Sequence, residues 1–321
     1  MSQVLGNVPA IVTESAVESA LLWVLVLAYI RCFNVKYPAI RAAAFLLPLI
    51  IPVALTTTFH VLLPQRPSEV NYFKFLETPI DGYTAGPFSI WLLFLVAEAV
   101  GVAASVVLLC RQWRTWTQAR SMWQQQQQQE TPLHRRCNAV LKHLVARFDC
   151  PAPRLVLTDS GNPGSLALGR CGYIFVPVTI AVQLDNEELE ALFAHEIGHI
   201  AKRDGLVGLV AKICRNLMLF NPLAYIVLSK LENEQEKAAD ELALKLGCTR
   251  LGLASCLLKS YRLGDQRIGL PVTALLNREI EIERRIRRLL DGGKEQTPAR
   301  FSWPALGILA GVATSGLALL V

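Results

Sequence analysis

Residues 185–200 read Asp185-Asn186-Glu187-Glu188-Leu189-Glu190-Ala191-Leu192-Phe193-Ala194-His195-Glu196-Ile197-Gly198-His199-Ile200, and this stretch decides how the rest of the chain is read. Asp185 followed three residues later by Glu188 is a capping-box pattern, and Leu189, Leu192, Phe193 and Ile197 supply one apolar face, so a helix is predicted from here. Side chains four apart lie on the same face of a helix. His195 and His199 can therefore reach one metal ion, with Glu196 one position round from His195 and near the open coordination position. Two surface histidines on an amphipathic helix would give the same pentapeptide. The distinction rests on a third ligand, because a catalytic zinc takes three protein ligands and leaves the fourth position to water.

Of the five histidines, the remaining three (His60, His134 and His143) all precede the motif. Downstream, Leu231 to Leu246 reads as a helix rich in acids: Glu232, Glu234, Glu236, Asp240 and Glu241. A carboxylate ligand followed four residues later by an acid that orients a ligand imidazole gives the pattern ExxxD, and Glu236 with Asp240 satisfies it. Glu232 with Glu236 is a competing pair, although glutamate is the less usual orienter. Taken alone Glu236 reads as part of a solvated helix face; beside the histidine pair it reads as a ligand.

Upstream of the motif, Leu133 to Phe148 has helical periodicity, and Arg154–Leu157 and Tyr173–Val176 read as short strands. Between them the turn cluster Asp159–Gly164 leads into Ser165-Leu166-Ala167-Leu168, a third strand closed by Gly169. A small sheet ahead of the motif helix is the expectation. Between the two ligand helices, Leu206, Val210, Ile213, Leu217 and Phe220 form an apolar stripe that breaks at Asn221-Pro222 and resumes at Leu223, Ile226, Val227 and Leu231. Lys212 and Arg215 argue against a spanning helix there. Two readings stay open: core helices packed on the motif helix, or a surface lying at a membrane face.

The chain has 321 residues, a mean hydropathy of +0.35 and only 18% charged residues, too apolar for an ordinary soluble protein. Three early segments, about 12–30, 42–63 and 88–110, and a last one at 301–321 approach the roughly 20 apolar residues that span a bilayer. The first is the weakest, being interrupted by Glu14 and Glu18; the second contains Pro48 and Pro52, which membrane helices tolerate; the third carries a single acid, Glu98. The first basic residue is Arg31, so the opening lacks the basic region of a signal peptide and segment one is expected to be an anchor. Basic residues flank the inner ends of the segments: Arg31, Lys36 and Arg41 after the first, Arg111, Arg114 and Arg120 after the third, and Arg284 to Arg300 before the last. By the positive-inside rule this predicts both termini outside and the central region in the cytoplasm.

Residues 111–300 hold 27 Lys and Arg against 20 Asp and Glu, so the net +6 of the chain belongs to this region. Topology and attraction to anionic headgroups explain that excess better than nucleic acid does. The eight cysteines show neither a CxxC pair nor regular spacing, and the six within the central region are expected to be reduced thiols. The run Gln124–Gln129 makes 111–132 a low-complexity juxtamembrane linker, helical or flexible, leaving 133–300 as the central domain.

Several strings taken together are more specific than the pentapeptide. Ala194-His195-Glu196-Ile197-Gly198-His199-Ile200, Lys202-Arg203-Asp204, Phe220-Asn221-Pro222-Leu223, Glu236-Lys237-Ala238-Ala239-Asp240-Glu241 and Arg284-Arg285-Ile286-Arg287-Arg288-Leu289-Leu290 resemble, in order and spacing, the BlaR/MecR-type membrane metallopeptidase family. The likeness covers about 185–290, and the three-plus-one arrangement of membrane segments is also similar. The heat-shock and prenyl-protein membrane peptidases share the histidine motif and ExxxD but fit less well in the Lys-Arg-Asp and Asn-Pro strings. The resemblance implies a multi-pass α-helical protein of a bacterial inner membrane with an inserted cytoplasmic α+β, gluzincin-like domain. It implies one Zn2+ held by His195, His199 and Glu236, with Glu196 as base and Asp240 orienting an imidazole, expected to be that of His195. Ser165, Leu166, Ala167 and Leu168 are the expected edge strand for a protein substrate.

The best-known members of that family continue past the last membrane helix into an extracellular penicillin-binding sensor domain, whereas this sequence stops at Val321. The expectation is a shorter relative that takes its signal through its own membrane helices, a sensor partner or a homo-oligomer, and cleaves a repressor-like regulator or itself. A broad quality-control protease and a non-catalytic zinc-containing signal transducer are the alternatives; the presence of Glu196 argues against the latter.

Overall fold

The computed structural model describes residues 8–56, 58, 90–128, 130–146, 152–168, 171–264, 272–291, 306–307 and 310–311. The elements in chain order are α1 (Val8–Cys32), α2 (Pro38–Thr56), α3 (Ile90–Gln128), α4 (Pro132–Val145), β1 (Arg154–Thr158), β2 (Gly164–Leu168), β3 (Cys171–Pro177), α5 (Val178–Gln183), α6 (Asn186–Lys202), α7 (Asp204–Leu217), α8 (Pro222–Lys245), α9 (Arg250–Leu263) and α10 (Val272–Leu290). They group into two compact units, one of Met1–Cys110, Gly208–Glu234 and Gln296–Val321, the other of Arg111–Val207 and Gln235–Glu295.

In the first unit, three helices among the described residues are long and apolar enough to cross a membrane: Ser15–Cys32 in α1, Pro38–Thr56 in α2 and Val96–Gln128 in α3. α1 and α2 pack together through buried Leu22 and Ile51, with the Trp23 and Phe45 rings 5.5 Å apart. Pro52 has no N–H to give the Pro48 carbonyl one turn back, and the Ser19 hydroxyl of α1 donates to that carbonyl at 3.0 Å. The rest of α1 and α3 presents uncovered Leu21, Val24, Leu25, Val100, Val106 and Val107, the surface of helices that face lipid. The expected fourth span lies outside the described residues, except that Leu306–Gly307 and Ala310–Gly311 are helical.

The third span is part of a helix that runs without a break through the linker to Gln128, so this part of the linker is helical. In the second unit the end of α3 lays Trp116, Ala119, Met122 and Trp123 against Val156 and Tyr173 of a three-stranded sheet. The strand order is β1-β3-β2, with β1 parallel and β2 antiparallel to β3. The side chain of Gln126, inside the glutamine run, accepts from Leu157 N at 2.9 Å and donates to Leu157 O at 2.6 Å. It fills on β1 the place that a neighbouring strand would take. Beneath the other face, Leu155, Leu157, Ile174 and Val176 join Leu141 and Leu144 of α4, Leu189, Phe193 and Ile197 of α6 and Leu253 of α9 in one core.

The helix expected at 231–246 and the apolar segment resuming at Leu223 are one element, α8. Asn221 and Pro222 start it, the Asn221 side chain accepting from Leu223 N at 3.0 Å, and nothing between Leu231 and Leu246 breaks it again.

Candidate metal centre

The motif helix α6 is fixed at both ends. Asp185 accepts from Glu188 N at 2.8 Å while Glu188 accepts from Asp185 N at 2.9 Å, the reciprocal box the sequence predicts. Glu188 also takes bonds from Ser255 and Lys259 of α9, which anchors the start of α6 to the core. At the other end Arg203, at φ +56°, closes the helix in the left-handed conformation and turns the chain so that Asp204 begins α7. Midway, a Cβ on Gly198 would lie 3.2 Å from Ala239 Cα and 3.3 Å from Ala239 Cβ. Glycine facing alanine lets the backbones of α6 and α8 approach closely, between the two histidines on one side and Glu236 and Asp240 on the other.

His195, His199 and Glu236 converge. The two Nε2 atoms are 3.2 Å apart, Glu236 Oε2 lies 3.5 Å from His195 Nε2, and Glu236 Oε1 lies 3.7 Å from His199 Nε2. The rings meet edge to face at 87°. Asp204 Oδ2 lies 2.8 Å from His199 Nδ1, a pairing that keeps the ring proton on Nδ1 and leaves Nε2 free to coordinate. Asp240 Oδ1 lies 3.0 Å from His195 Nδ1, at an angle that makes it a close charge pair rather than a well-aligned hydrogen bond. Arg285 of α10 grips both acids. Its Nε and Nη2 donate to Asp240 at 3.0 and 2.7 Å, and its Nη1 lies 2.6 Å from Glu236 Oε2.

Burial opposes a charge on His195, yet the close Asp240 and Glu236 carboxylates override it and lift the pKa to about 10. Burial also works against the Glu236 carboxylate, which stays open to solvent on one flank. Its hydrogen bond with His195 and the charge of Arg285 hold its pKa well below the usual range. Asp240 is held down in the same way against its burial, first by Arg285 and then by His195. Glu236, Asp240 and Glu196 act on the Arg285 guanidinium, while Asp204 pairs with His199 and shares the neighbourhood of Lys202.

Four ligands at about 2.0–2.1 Å in a tetrahedron are separated by about 3.3–3.4 Å. The separations of 3.2, 3.5 and 3.7 Å between these donors match that spacing, and two imidazoles with one carboxylate are borderline ligands suited to a divalent cation. The residues present fit the group.

The structure brings together four of the residues singled out in the sequence, His195, His199, Glu236 and Asp240, and buries Glu196 beside them on α6. The competing acid Glu232 is elsewhere, paired with Lys212 at 3.1 Å. Ser165, Leu166, Ala167 and Leu168 form β2, which lies at the end of the sheet and packs against α6. Sequence reasoning assigned no role to Asp204 or Arg285. Asp204 stands five residues past His199, off the helical spacing, and reaches it only through the left-handed turn at Arg203. Arg285 is one of four arginines in a run, and only the tertiary fold selects it.

The model of the family described as BlaR1 peptidase M56 matches residues 10–289, which takes in the three candidate spans of α1, α2 and α3 as well as every residue of this site. The chain belongs to the BlaR1 peptidase M56 family. Individual relatives resemble it over shorter stretches. A protease HtpX homolog of Pelotomaculum thermopropionicum is 40% identical over 75 residues, 22% of this chain and 27% of that protein. One from Halobacterium salinarum is 30% identical over 137 residues, 38% of this chain and 46% of that protein. One from Salinibacter ruber is 26% identical over 156 residues, 40% of this chain and 56% of that protein. The chain thus spans between about a quarter and just over a half of the length of these curated relatives.

Proposed function

We propose that this chain is a zinc endopeptidase of a bacterial inner membrane, its catalytic region on the cytoplasmic side and both termini outside, and that it cleaves a repressor-like regulator, or itself, in signalling. The observation that carries the reading is the convergence of His195, His199 and Glu236 to tetrahedral spacing with Glu196 next in chain to a ligand. The proposed divisions are three spans within 1–110, a linker at 111–132, the peptidase domain at 133–300 and a fourth span at 301–321.

Bound zinc would polarise the scissile carbonyl and bring the pKa of a coordinated water toward neutrality. Glu196 takes the proton from the attacking water and passes it to the leaving amine. Asp204 and Asp240 hold the two imidazoles with Nε2 turned inward. Arg285 keeps Glu236 and Asp240 ionised and in place. The edge of β2, Ser165 to Leu168, would receive an extended substrate segment, since backbone pairing accommodates many sequences.

The likeness to HtpX proteases supports a second reading, in which the substrates are many damaged membrane proteins rather than one regulator. Comparing new protein N-termini in cells carrying the intact chain and its Glu196→Gln form separates the two. One or a few cleavages that vanish in the variant support signalling, and many support quality control. Cleavage undiminished in the variant, or no stoichiometric zinc in the purified protein, refutes the assignment.

A further inference from the structure

Within the first unit, the end of α7, the turn 218–221 and the start of α8 form a helical hairpin packed on α3. Asn216, buried near the end of α7, puts its carbonyl where a Cβ on Gly101 would come within 2.3 Å of it, and its side chain donates to Ser105 Oγ at 3.4 Å. Gly101 and Ser105 lie inside the apolar run of α3, ten and six positions before Arg111. At 1.5 Å per residue these contacts lie about 15 and about 9 Å beyond that first arginine, against a half-thickness of about 15 Å for a hydrocarbon core.

The hairpin is built for that depth. Between Lys212 and Lys230 the only charged residue is Arg215, whose guanidinium lies over the Tyr225 ring at 4.9 Å. Two ion pairs close its base: Lys212 with Glu232 at 3.1 Å, and Arg41, near the start of α2, with buried Glu234 at 3.3 Å. Four backbone N–H groups at the turn are bonded within the hairpin: Met218 N to Cys214 O, Asn221 N to Met218 O, Ala224 N to Asn221 O and Leu223 N to the Asn221 side chain. Internal satisfaction is the condition for irregular backbone at membrane depth. Meanwhile Phe220 and Ile226 stay 47% and 49% exposed, on the unit that holds the spanning helices.

We propose that this hairpin is re-entrant: it dips into the hydrocarbon on the Arg111 side of α3 without crossing, and lipid acyl chains cover Phe220, Tyr225 and Ile226. The proposal is independent of whether the site cleaves peptides. The test uses the full chain reconstituted in phosphatidylethanolamine–phosphatidylglycerol vesicles, with photoreactive benzoylphenylalanine replacing Phe220, or Ile226 should the first variant fail to fold. The control replaces Leu251, a 70% exposed apolar residue on α9. On irradiation, positions 220 and 226 should form acyl-chain adducts at ten times or more the yield of position 251. Equal yields at the three positions, or adducts at 220 and 226 with a second copy of the chain in place of lipid, would overturn the proposal.

Discussion

Replacing Asp204 tests whether the site is held as the geometry indicates, because Asp204 stands behind His199, on its Nδ1, outside the converging trio of His195, His199 and Glu236. Its carboxylate is 2.8 Å from His199 Nδ1, and both side chains are largely shielded from solvent. A hydrogen bond to a charged group in such surroundings contributes about 1.5–3 kcal/mol. Loss of a partner that orients a metal-bound histidine lowers metal affinity about 10–100-fold, equivalent to about 1.4–2.8 kcal/mol, so two independent routes give the same magnitude. Asp204→Asn keeps an acceptor and should sit near the tenfold end; Asp204→Ala should approach a hundredfold. The assay is competition for zinc between the purified variant and a fluorescent chelator, with peptide cleavage measured alongside under saturating zinc. Weakened zinc retention with cleavage largely recovered at saturation is the expected result. Unaltered zinc affinity in Asp204→Ala would refute the orienting role.

Arg285→Ala leaves two clustered acids without their cation and should lower folding stability by about 3–5 kcal/mol, read from chemical denaturation. Arg285→Lys should recover only part of this, since an ammonium cannot reproduce the two-pronged contact with Asp240. Gly198→Leu, which drives a side chain into Ala239, should separate α6 from α8, cost about 1–3 kcal/mol in thermal unfolding and release zinc although every ligand is intact. For Glu188, burial raises the pKa, but bonds from Lys259, Ser255 and the Asp185 backbone outweigh it and hold the value below 4.5. A depressed folded pKa gives stability that is present above the unfolded value and lost as pH falls through the folded one. The stability gap between the intact chain and Glu188→Gln should therefore be constant above about pH 5 and close as the solution is acidified, with equal gaps at pH 3 and pH 6 as the contrary outcome.

The parts of this molecule legible in sequence are those set by local rules. The capping box at Asp185, the i and i+4 histidines and the apolar runs of α1 to α3 each depend on neighbours a few residues away, and each is found in place. The choice of Glu236 over Glu232 was partly legible, through the preference for aspartate at the orienting position. What was not legible depends on contacts between distant segments. The left-handed Arg203 carries no glycine to announce it, so the reach of Asp204 to His199 was invisible. Arg285 meets Asp240 across 45 residues of chain, and nothing local separates it from Arg284 or Arg287. In the hairpin of α7 and α8, Lys212 and Arg215 interrupt the apolar stripe and argue against a spanning helix; their partners, Glu232 and Tyr225, lie on the opposite arm, where only the fold brings them together.

Gln126 gives the glutamine run a meaning that composition alone conceals. With its amide on both backbone groups of Leu157, β1 is capped there, and the opposite end of the sheet is left to β2, beside α6. A homopolymer is indifferent to its own slippage. If replication adds or removes one glutamine within Gln124–Gln129, the helix leading up to Trp123 keeps its register and position 126 is still a glutamine, while the change in length is passed on beyond the end of α3. The repeat thus shields a structural contact from the very kind of mutation that repeats attract.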